Sequence, residues 1–303
     1  MPAHTIADAI ALAIIAAGIA CAWFWQIAPS ARVHRDESRL PHIGTPWLLF
    51  AALAFFVIIG GILAQGLFLT LHEQLDPQSR ADTAHLNIFA TGALGIGITA
   101  AALFVRRLIN ARQKLLDTTL DRLAAATSGS PQAPLTSPSA LQPFSPLALS
   151  RVLPVALGVY AITWTASALT GIIWNWLLDR LGVPPGAQDI VQLFQPDTPP
   201  LLLLALTLVT IVIAPVYEEI LFRGALYGYL RTRLPRLLGY LLPSLIFALV
   251  HLNQGVRLMA PLFVFALVHC KAYERTGRIG VVIISHALFN LTTIAAVLTG
   301  ALP

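Results

Sequence analysis

The sequence predicts an all-α fold, a polytopic bundle of about eight transmembrane helices. Composition is the first reason, because the chain is 57% hydrophobic and only 11% charged, whereas an average soluble domain carries roughly 25% charged residues. The second reason is a series of apolar segments of membrane-spanning length. The third is the distribution of basic residues, which follows the alternation of sides that such segments impose.

Eight segments of the 303-residue chain are candidate membrane spans. A helix that crosses the hydrocarbon core needs about 20 apolar residues. The candidates are residues 5–28, 47–71, 86–105, 152–178, 199–217, 237–252, 258–273 and 279–300. The seventh is short and contains Pro261 and His269. No Lys or Arg precedes the first segment, so we expect no cleaved signal peptide, which would begin with a basic region.

Basic residues are distributed unevenly between the two sides that these segments define. If the N-terminus lies outside, the inner segments are 29–46, 106–151, 220–236 and 271–278. They hold sixteen of the 19 Lys and Arg residues, and the outer side keeps only Arg80, Arg180 and Arg257. The pattern obeys the positive-inside rule. With eight spans, both termini are therefore predicted to lie outside.

Three regions follow from the same pattern. Residues 1–105 are predicted to form three N-terminal transmembrane helices of unknown role, and residues 151–303 a five-helix core. Between them, residues 106–150 combine an amphipathic stretch at 106–123 with a Ser- and Pro-rich stretch at 126–146. The amphipathic stretch favours an extension of the third helix or a surface helix. The Ser- and Pro-rich stretch favours a flexible cytoplasmic linker.

Charge and cysteine content narrow the classes of function. The net charge of +5 follows membrane topology, so we expect the lipid bilayer and no nucleic acid as a partner. Cys21 and Cys270 lie in separate apolar segments without a CxxC motif, and we interpret them as packing residues. The chain contains no P-loop, GxGxxG, HExxH or GxSxG motif. The candidates for function are therefore the polar residues within the apolar segments.

Glu218, Glu219 and Arg223 form the first polar group in an apolar segment. On a helix, Glu219 and Arg223 are four residues apart with the acid first, the favoured order for an ion pair. Glu218 points about 100° away from Glu219, so one carboxylate can form a structural pair while the other faces a cavity. The alternative is a solvated helix end, which three arginines between residues 231 and 236 would suit.

Two further pairs have the same spacing of four residues, Phe247 with His251 and His286 with Asn290. A lone histidine on an apolar helix is more often a hydrogen-bonded packing residue than a catalyst, and we place His269 in that class. Phe247 lies one turn before His251, where it would wall a site. His286 and Asn290 share a helix face and can donate hydrogen bonds to an oxyanion, although alone they favour polar contacts between helices.

Together these residues form a constellation able to hydrolyse an amide bond. Ionisable groups at membrane depth are costly, yet this chain has a carboxylate, two histidines and an amide on three separate segments. Two other classes stay open. One is a catalytically silent scaffold or immunity protein that binds a partner, and the other is a transporter with a proton relay. The absence of an inverted repeat counts against the transporter.

The predicted spans leave one geometric conflict. Glu218 falls near the inner end of the fifth segment, whereas His251 falls near the outer end of the sixth. The two side chains can meet only if the chain after Glu219 is kinked or re-entrant, or if the inner boundary is misplaced. We expect the site to lie within the membrane and the C-terminal bundle, with access from the cytoplasmic side.

At these residues the sequence resembles the CPBP family of intramembrane proteases, which includes the Rce1-like CAAX proteases and the Abi or bacteriocin-immunity proteins. The family pattern is EExxxR, then FxxxH, then HxxxN, on successive transmembrane helices. This chain has YEEILFRGALYG, FALVH and HALFN in that order, and the resemblance covers roughly residues 150–300. It implies a glutamate-dependent endopeptidase that cuts a membrane-associated peptide or protein.

The resemblance also implies a role for each motif residue. Glu218 would be the general base that activates water, and His251 would orient that water and shuttle its proton. His286 and Asn290 would stabilise the tetrahedral oxyanion. The supporting residues would be Glu219, Arg223 and Phe247.

No cofactor and no metal are expected. A Glu and two His can bind zinc, so a zinc peptidase is the mechanistic alternative, but these residues lie on three segments without an HExxH turn. Arginine outnumbers lysine 17 to 2, as in proteins from GC-rich genomes. We therefore expect a bacterial inner membrane, and the sequence leaves the oligomeric state undetermined.

Overall fold

A computed structural model describes residues 3–23, 40, 47–75, 83–128, 149–184 and 199–299. Within these residues the secondary structure is helical and contains no strand, which confirms the all-α prediction for this part of the chain. The main helices are α1 Ala3–Ala22, α2 Trp47–Leu75, α3 Thr83–Ser128, α4 Leu149–Arg180, α5 Pro200–Leu230, α6 Arg236–Val250, α7 Met259–Thr276 and α8 Ile279–Leu298. Two short 3₁₀ turns, Leu252–Gln254 and Val256–Leu258, connect α6 to α7.

Six segments, which lie in α2, α3, α4, α5, α7 and α8, are long and apolar enough to cross a membrane. The apolar parts of α1 and α6 are shorter. Each predicted span thus coincides with a helix, but only six meet the criteria of length and composition, and the count of eight stays a prediction. The chain is an integral membrane protein.

The amphipathic stretch at 106–123 is part of α3. This helix continues without interruption for 46 residues, so the structure selects an extension of the third helix over a separate surface helix. The predicted linker at 126–146 begins with the last three residues of α3, and from residue 129 onward it lies outside the described residues.

The helices pack in two connected groups. Helix α4 contacts α1, α7 and α8, and α5 lies between α3 and α8 while α6 packs on α7. Helices α2 and α3 approach closely at glycines, since a Cβ added to Gly97 would lie 2.6 Å from the Gly60 carbonyl oxygen. A Cβ on Gly95 would lie 2.2 Å from Cδ1 of Tyr217. Helix α3 therefore packs on α5 at Tyr217, the residue before Glu218.

Contacts between chain segments agree with the predicted alternation of sides. The Nη2 group of Arg231 donates to the Leu40 carbonyl oxygen at 2.6 Å, and both residues belong to segments predicted to be inner. The Nη2 group of Arg257 donates to Asp179 at 2.6 Å, and both lie in regions predicted to be outer. Which of these two ends faces the cytoplasm stays a prediction.

Helix α5 corrects the predicted boundary near residue 217. It runs from Pro200 to Leu230, so the predicted inner segment 220–236 begins too early and Arg223 lies inside the helix rather than in a loop. Two π-helical segments, Val209–Ile213 and Ile220–Tyr227, flank an α-helical stretch at Ala214–Glu219. Such π segments are frequent at functional sites.

Helix α6 is too short to reach the outer surface from the inner one. Its 15 residues span about 22 Å, which is less than the hydrocarbon thickness of about 30 Å. His251 follows the last helical residue, and the chain then turns at Gly255, whose φ is 110°. The chain therefore turns before α6 is long enough to cross a membrane, and His251 at this turn lies within reach of α5.

Candidate active site

The depth conflict between Glu218 and His251 disappears with these helix lengths. Glu218 is twelve residues before Leu230, the end of α5, which is about 18 Å along the axis. His251 is fifteen residues after Arg236, the start of α6, or about 22 Å. A short turn joins the two helices, so the two side chains lie at similar depth.

The Glu219 carboxylate lies at the centre of a buried cluster. Its Oε1 atom accepts hydrogen bonds from Nδ1 of His269 at 3.0 Å and from Nδ1 of His286 at 2.9 Å. The Nη1 atom of Arg223 lies 3.1 Å from the same oxygen, which is the ion pair expected from the spacing. The Glu219 side chain is 0% exposed. Its Oε2 atom is buried without a hydrogen-bond partner among the described residues.

Two phenylalanine rings enclose the guanidinium group of Arg223. Its Cζ atom lies 4.5 Å from the ring centroid of Phe247 and 5.6 Å from that of Phe265. Cations gain from contact with such ring faces when they are desolvated. Phe247 also contacts the imidazole of His251, with centroids 4.6 Å apart. The phenylalanine of the FxxxH pair therefore forms a wall between the buried Arg223 and the partly buried His251.

Glu218 faces a different set of partners. Its Oε2 atom lies 3.7 Å from Nε2 of His251 and 3.8 Å from Nε2 of His286. The side chain is 11% exposed, so this group is closer to solvent than the Glu219 cluster. The structure thus brings together a carboxylate from α5 and imidazoles from the end of α6 and from α8.

The hydrogen bonds of the two imidazoles determine which ring nitrogens carry protons. The Phe247 carbonyl is free to accept from a side chain, because the backbone N–H of His251 donates to Ala248 instead. Nδ1 of His251 lies 2.7 Å from this carbonyl oxygen and must donate to it, since a carbonyl only accepts. Nδ1 of His286 donates to Glu219, since a carboxylate paired with arginine only accepts. In the neutral rings, both Nε2 atoms are therefore acceptors. Both lie close to Oε2 of Glu218, which is a third acceptor. A water that donates two hydrogen bonds fits such a group, because polar contacts beyond 3.5 Å are often bridged.

Asn290 contacts α5 one turn away from His286. Its Nδ2 group donates to the Thr210 carbonyl at 2.9 Å. In the π segment the backbone N–H of Ala214 donates to the Val209 carbonyl, five residues earlier. With the same spacing, the donor to the Thr210 carbonyl would be Pro215, which has no N–H. The amide of Asn290 thus satisfies a carbonyl that the helix leaves free. Its second N–H donates to none of the described residues.

The comparison with protein families bears on this segment. Residues 200–292 match the family model described as Rce1-like, type II CAAX prenyl endopeptidase Rce1-like. The match runs from the start of α5 into α8 and includes all three motifs, EExxxR, FxxxH and HxxxN. It confirms the resemblance to the CPBP and CAAX protease group for this part of the chain. No curated protein and no solved structure matches the sequence.

His269 belongs to the buried cluster around Glu219 but to none of the three motifs of this CAAX-protease-like segment. It was expected to be a hydrogen-bonded packing residue, and it is fully buried. Its hydrogen bonds, however, reach Glu219 through Nδ1 and the hydroxyl of Ser285 through Nε2, the latter at 3.1 Å. The only sequence signal was an ionisable residue in an apolar helix, which does not reveal its partner.

Proposed function

We propose that this protein is an intramembrane endopeptidase that hydrolyses a peptide bond of a membrane-associated protein or peptide with a water activated by Glu218. The convergence of Glu218 Oε2 with two imidazole nitrogens at 3.7 and 3.8 Å carries the proposal. These three atoms are hydrogen-bond acceptors, so a molecule that donates hydrogen bonds fits between them. Water is such a donor, and it is the nucleophile that hydrolysis requires. The family match over residues 200–292 supports the same class of reaction.

Glu218 is the general base in this mechanism. It accepts a proton from the water as the water oxygen forms a bond to the peptide carbonyl carbon. His251, held by its bond to the Phe247 carbonyl, orients the water through Nε2, then takes the proton from Glu218 and gives it to the leaving nitrogen. The C–N bond then breaks, which leaves a carboxylic acid and an amine. Base catalysis of this kind contributes about 10²–10⁴-fold in rate.

His286 and Asn290 stabilise the tetrahedral oxyanion. For this role His286 takes a second proton from solvent at Nε2 before the attack, while Nδ1 still donates to Glu219 at 2.9 Å, and the new Nε2–H donates to the oxyanion of the substrate. The Glu219 carboxylate stabilises this cationic ring. Asn290 adds its free N–H. One oxyanion donor is worth about 10²–10³-fold in rate in other hydrolases.

A zinc peptidase that uses Glu218, His251 and His286 is the mechanistic alternative, and the chelator assay below tests it. Arg223 argues against zinc at a second group of possible ligands, the buried cluster around Glu219. Glu219, His269 and His286 offer ligand atoms that lie within 4.8 Å of one another. A cation at this place would, however, meet a guanidinium that is 3.1 Å from the shared oxygen. Both Nδ1 atoms also already donate to that oxygen. A hydrogen-bonded cluster therefore accounts for these residues, and we propose metal-independent glutamate catalysis without a cofactor.

The proposal places the reaction in the region 151–303, with the three N-terminal helices and the 106–150 segment outside the catalytic core. It further places the protein in a bacterial cytoplasmic membrane, with both termini outside and access to the site from the cytoplasmic side. The positive-inside pattern and the arginine-rich composition support this orientation and source. The substrate partner is a peptide or protein at the membrane.

Cleavage of a peptide library by the purified protein in lipid nanodiscs tests the proposal. The library contains matched peptides with and without a prenyl group, because the family name refers to prenyl substrates. Wild type is compared with Glu218→Gln, and each is assayed with and without a zinc chelator. We expect cleavage by the wild type, unchanged by chelator, and a loss of about 10²–10⁴-fold in Glu218→Gln.

Asp179→Asn is the matched control, since it makes the same acid-to-amide change at a side chain that is 64% exposed and remote in sequence from the site. It is expected to cleave like the wild type. Loss of activity with chelator and recovery with zinc would favour the zinc peptidase. A folded wild-type protein that cleaves no peptide would favour the scaffold or immunity protein.

A further inference from the structure

We infer that His269 and Ser285 form a positioning pair that fixes the proton of His286 on Nδ1, so that Nε2 faces Glu218. The inference rests on the proposed function for its catalytic consequence, but the proton position is a property of the folded protein alone. His269 lies on α7 and Ser285 on α8, and neither belongs to the three motif pairs.

The contacts form a closed circuit between three helices. Ser285 contacts Nε2 of His269 at 3.1 Å, and Nδ1 of His269 contacts Oε1 of Glu219 at 3.0 Å. The same oxygen accepts from Nδ1 of His286 at 2.9 Å, and His286 follows Ser285 in the chain. The members are all buried. A buried circuit of this kind cannot replace a lost bond with water.

The direction of each bond follows from donor and acceptor chemistry. The carboxylate oxygen of Glu219 only accepts, so Nδ1 of His269 carries a proton. Nε2 of a neutral His269 is then an acceptor, and the Ser285 hydroxyl donates to it. Glu219 therefore fixes the tautomer of His269, the Ser285 hydroxyl holds the other side of the ring, and His269 in turn holds the Glu219 oxygen in place. Residues that do not touch substrate, as His269 and Ser285 here, can act in this way by orienting the groups that do.

Loss of the His269 donor would release the Glu219 carboxylate. Its Oε2 atom is buried without a hydrogen-bond partner among the described residues, so the carboxylate would turn to pair both oxygens with Arg223 and would draw Oε1 away from His286. His286 would then lose its acceptor on Nδ1, and the proton would move to Nε2. The protonated Nε2 would then donate to Glu218 directly, in place of the water, although every motif residue would still be present.

Two substitutions of His269 separate this role from packing. The amide nitrogen of Asn occupies the place of Nδ1 in histidine, so His269→Asn keeps the donor to Glu219 and loses the contact with Ser285. The amide of Gln reaches the place of Nε2, so His269→Gln keeps the Ser285 contact and loses that donor. Gln is closer to His in volume. A packing role predicts that Gln is tolerated better, whereas the positioning role predicts that Asn is.

Kinetics on a cleaved peptide give the first readout. We expect His269→Gln to lower kcat by about 10–100-fold, as loss of comparable orienting partners does elsewhere, with KM unchanged. The loss of kcat in His269→Asn should be less than half of that in His269→Gln, when both losses are compared as logarithms. Ser285→Ala should resemble His269→Asn, because both leave the donor to Glu219. Equal losses in Asn and Gln, or better activity in Gln, would overturn the inference.

Nitrogen-15 spectra of histidine-labelled protein give a readout that needs no activity. The signals of His286 are assigned by their loss in His286→Asn. We expect a protonated Nδ1 on His286 in the wild type and in His269→Asn, and a protonated Nε2 with bare Nδ1 in His269→Gln. A wild-type His286 with bare Nδ1 would overturn the inference even if cleavage is observed. The expected spectra without any cleavage would support the positioning pair and contradict the proposed function.

Discussion

Glu218 and Glu219 are neighbours in the chain but occupy opposite environments. Glu219 is 0% exposed and shares one oxygen with three nitrogen groups from Arg223, His269 and His286. Glu218 is 11% exposed and faces two imidazole nitrogens beyond hydrogen-bond distance. On the Glu219 side the charges of the carboxylate and of Arg223 are paired out of contact with solvent. On the Glu218 side a carboxylate oxygen and two imidazole nitrogens face one another without a direct hydrogen bond between them.

The difference shows that helix rotation, rather than residue type, divides the two roles. Consecutive residues on a helix point about 100° apart, so the pair faces different neighbours on α6, α7 and α8. One carboxylate can then organise the site while the other performs chemistry. His286 connects the two sides, since its Nδ1 atom contacts Glu219 and its Nε2 atom faces Glu218.

The largest effect on stability is expected from Glu219→Gln. Removal of one partner from a buried ion pair costs about 3–5 kcal/mol, because the other charge is left unpaired. Chemical unfolding in detergent measures this loss. Glu218→Gln, the same change one residue away, should leave the free energy of unfolding within about 1 kcal/mol of wild type, since no buried cation depends on it. Equal destabilisation by the two variants would contradict the comparison.

Replacement of both members of the ion pair should restore part of that loss. Arg223→Met fills the space between the rings of Phe247 and Phe265 without a charge. Replacing a whole buried pair by apolar residues is often neutral or stabilising, so Glu219→Gln with Arg223→Met should be more stable than Glu219→Gln alone. A double variant as unstable as the sum of its single variants would show that the charges are not coupled. The same unfolding assay decides.

An intermediate effect is expected where α3 packs on the Glu218 side. A Cβ at Gly95 would lie 2.2 Å from Tyr217, so Gly95→Ala forces α3 or the Tyr217 ring to shift. Overpacking of this kind costs about 1–3 kcal/mol, and unfolding monitored in detergent measures it. Gly66→Ala is the matched control, because nothing lies within 4 Å of the added Cβ. A similar response of both variants would exclude tight packing at Gly95.

The smallest effect is expected from the exposed ion pair at the other end of the bundle. Arg257 lies 2.6 Å from Asp179, whose side chain is 64% exposed. Exposed pairs contribute about 0–1 kcal/mol, so Asp179→Asn should change the free energy of unfolding by no more than that. A loss as large as that of Glu219→Gln would show that burial does not set the value of these pairs.

The sequence predicted the helices and the motif pairs but misplaced some boundaries. Apolar length located every main helix, whereas the end of α5 was wrong because the predicted span stopped at residue 217, before the charged residues Glu218, Glu219 and Arg223. Their charges are compensated inside the bundle, which hydropathy along one chain segment does not register. The π segments, which depend on Pro215 and on tertiary contacts such as Asn290 with Thr210, were likewise not predictable from periodicity.

The site shows the same limit. The spacing of four residues correctly indicated the ion pair of Glu219 with Arg223, because that contact is local. The contact of His269 with Glu219 joins residues 50 positions apart, and no pattern in the chain specifies it. Local geometry was therefore readable from the sequence, and contacts between helices were not.

The most direct test of the division between the two acids is the kcat of Glu218→Gln and Glu219→Gln, each corrected for the fraction of folded protein. The account predicts a loss of about 10²–10⁴-fold for Glu218→Gln, which removes the base. It predicts a smaller loss of about 10–100-fold for folded Glu219→Gln, which only disturbs the orientation of His286. A Glu218→Gln protein that retains more activity than folded Glu219→Gln would contradict it.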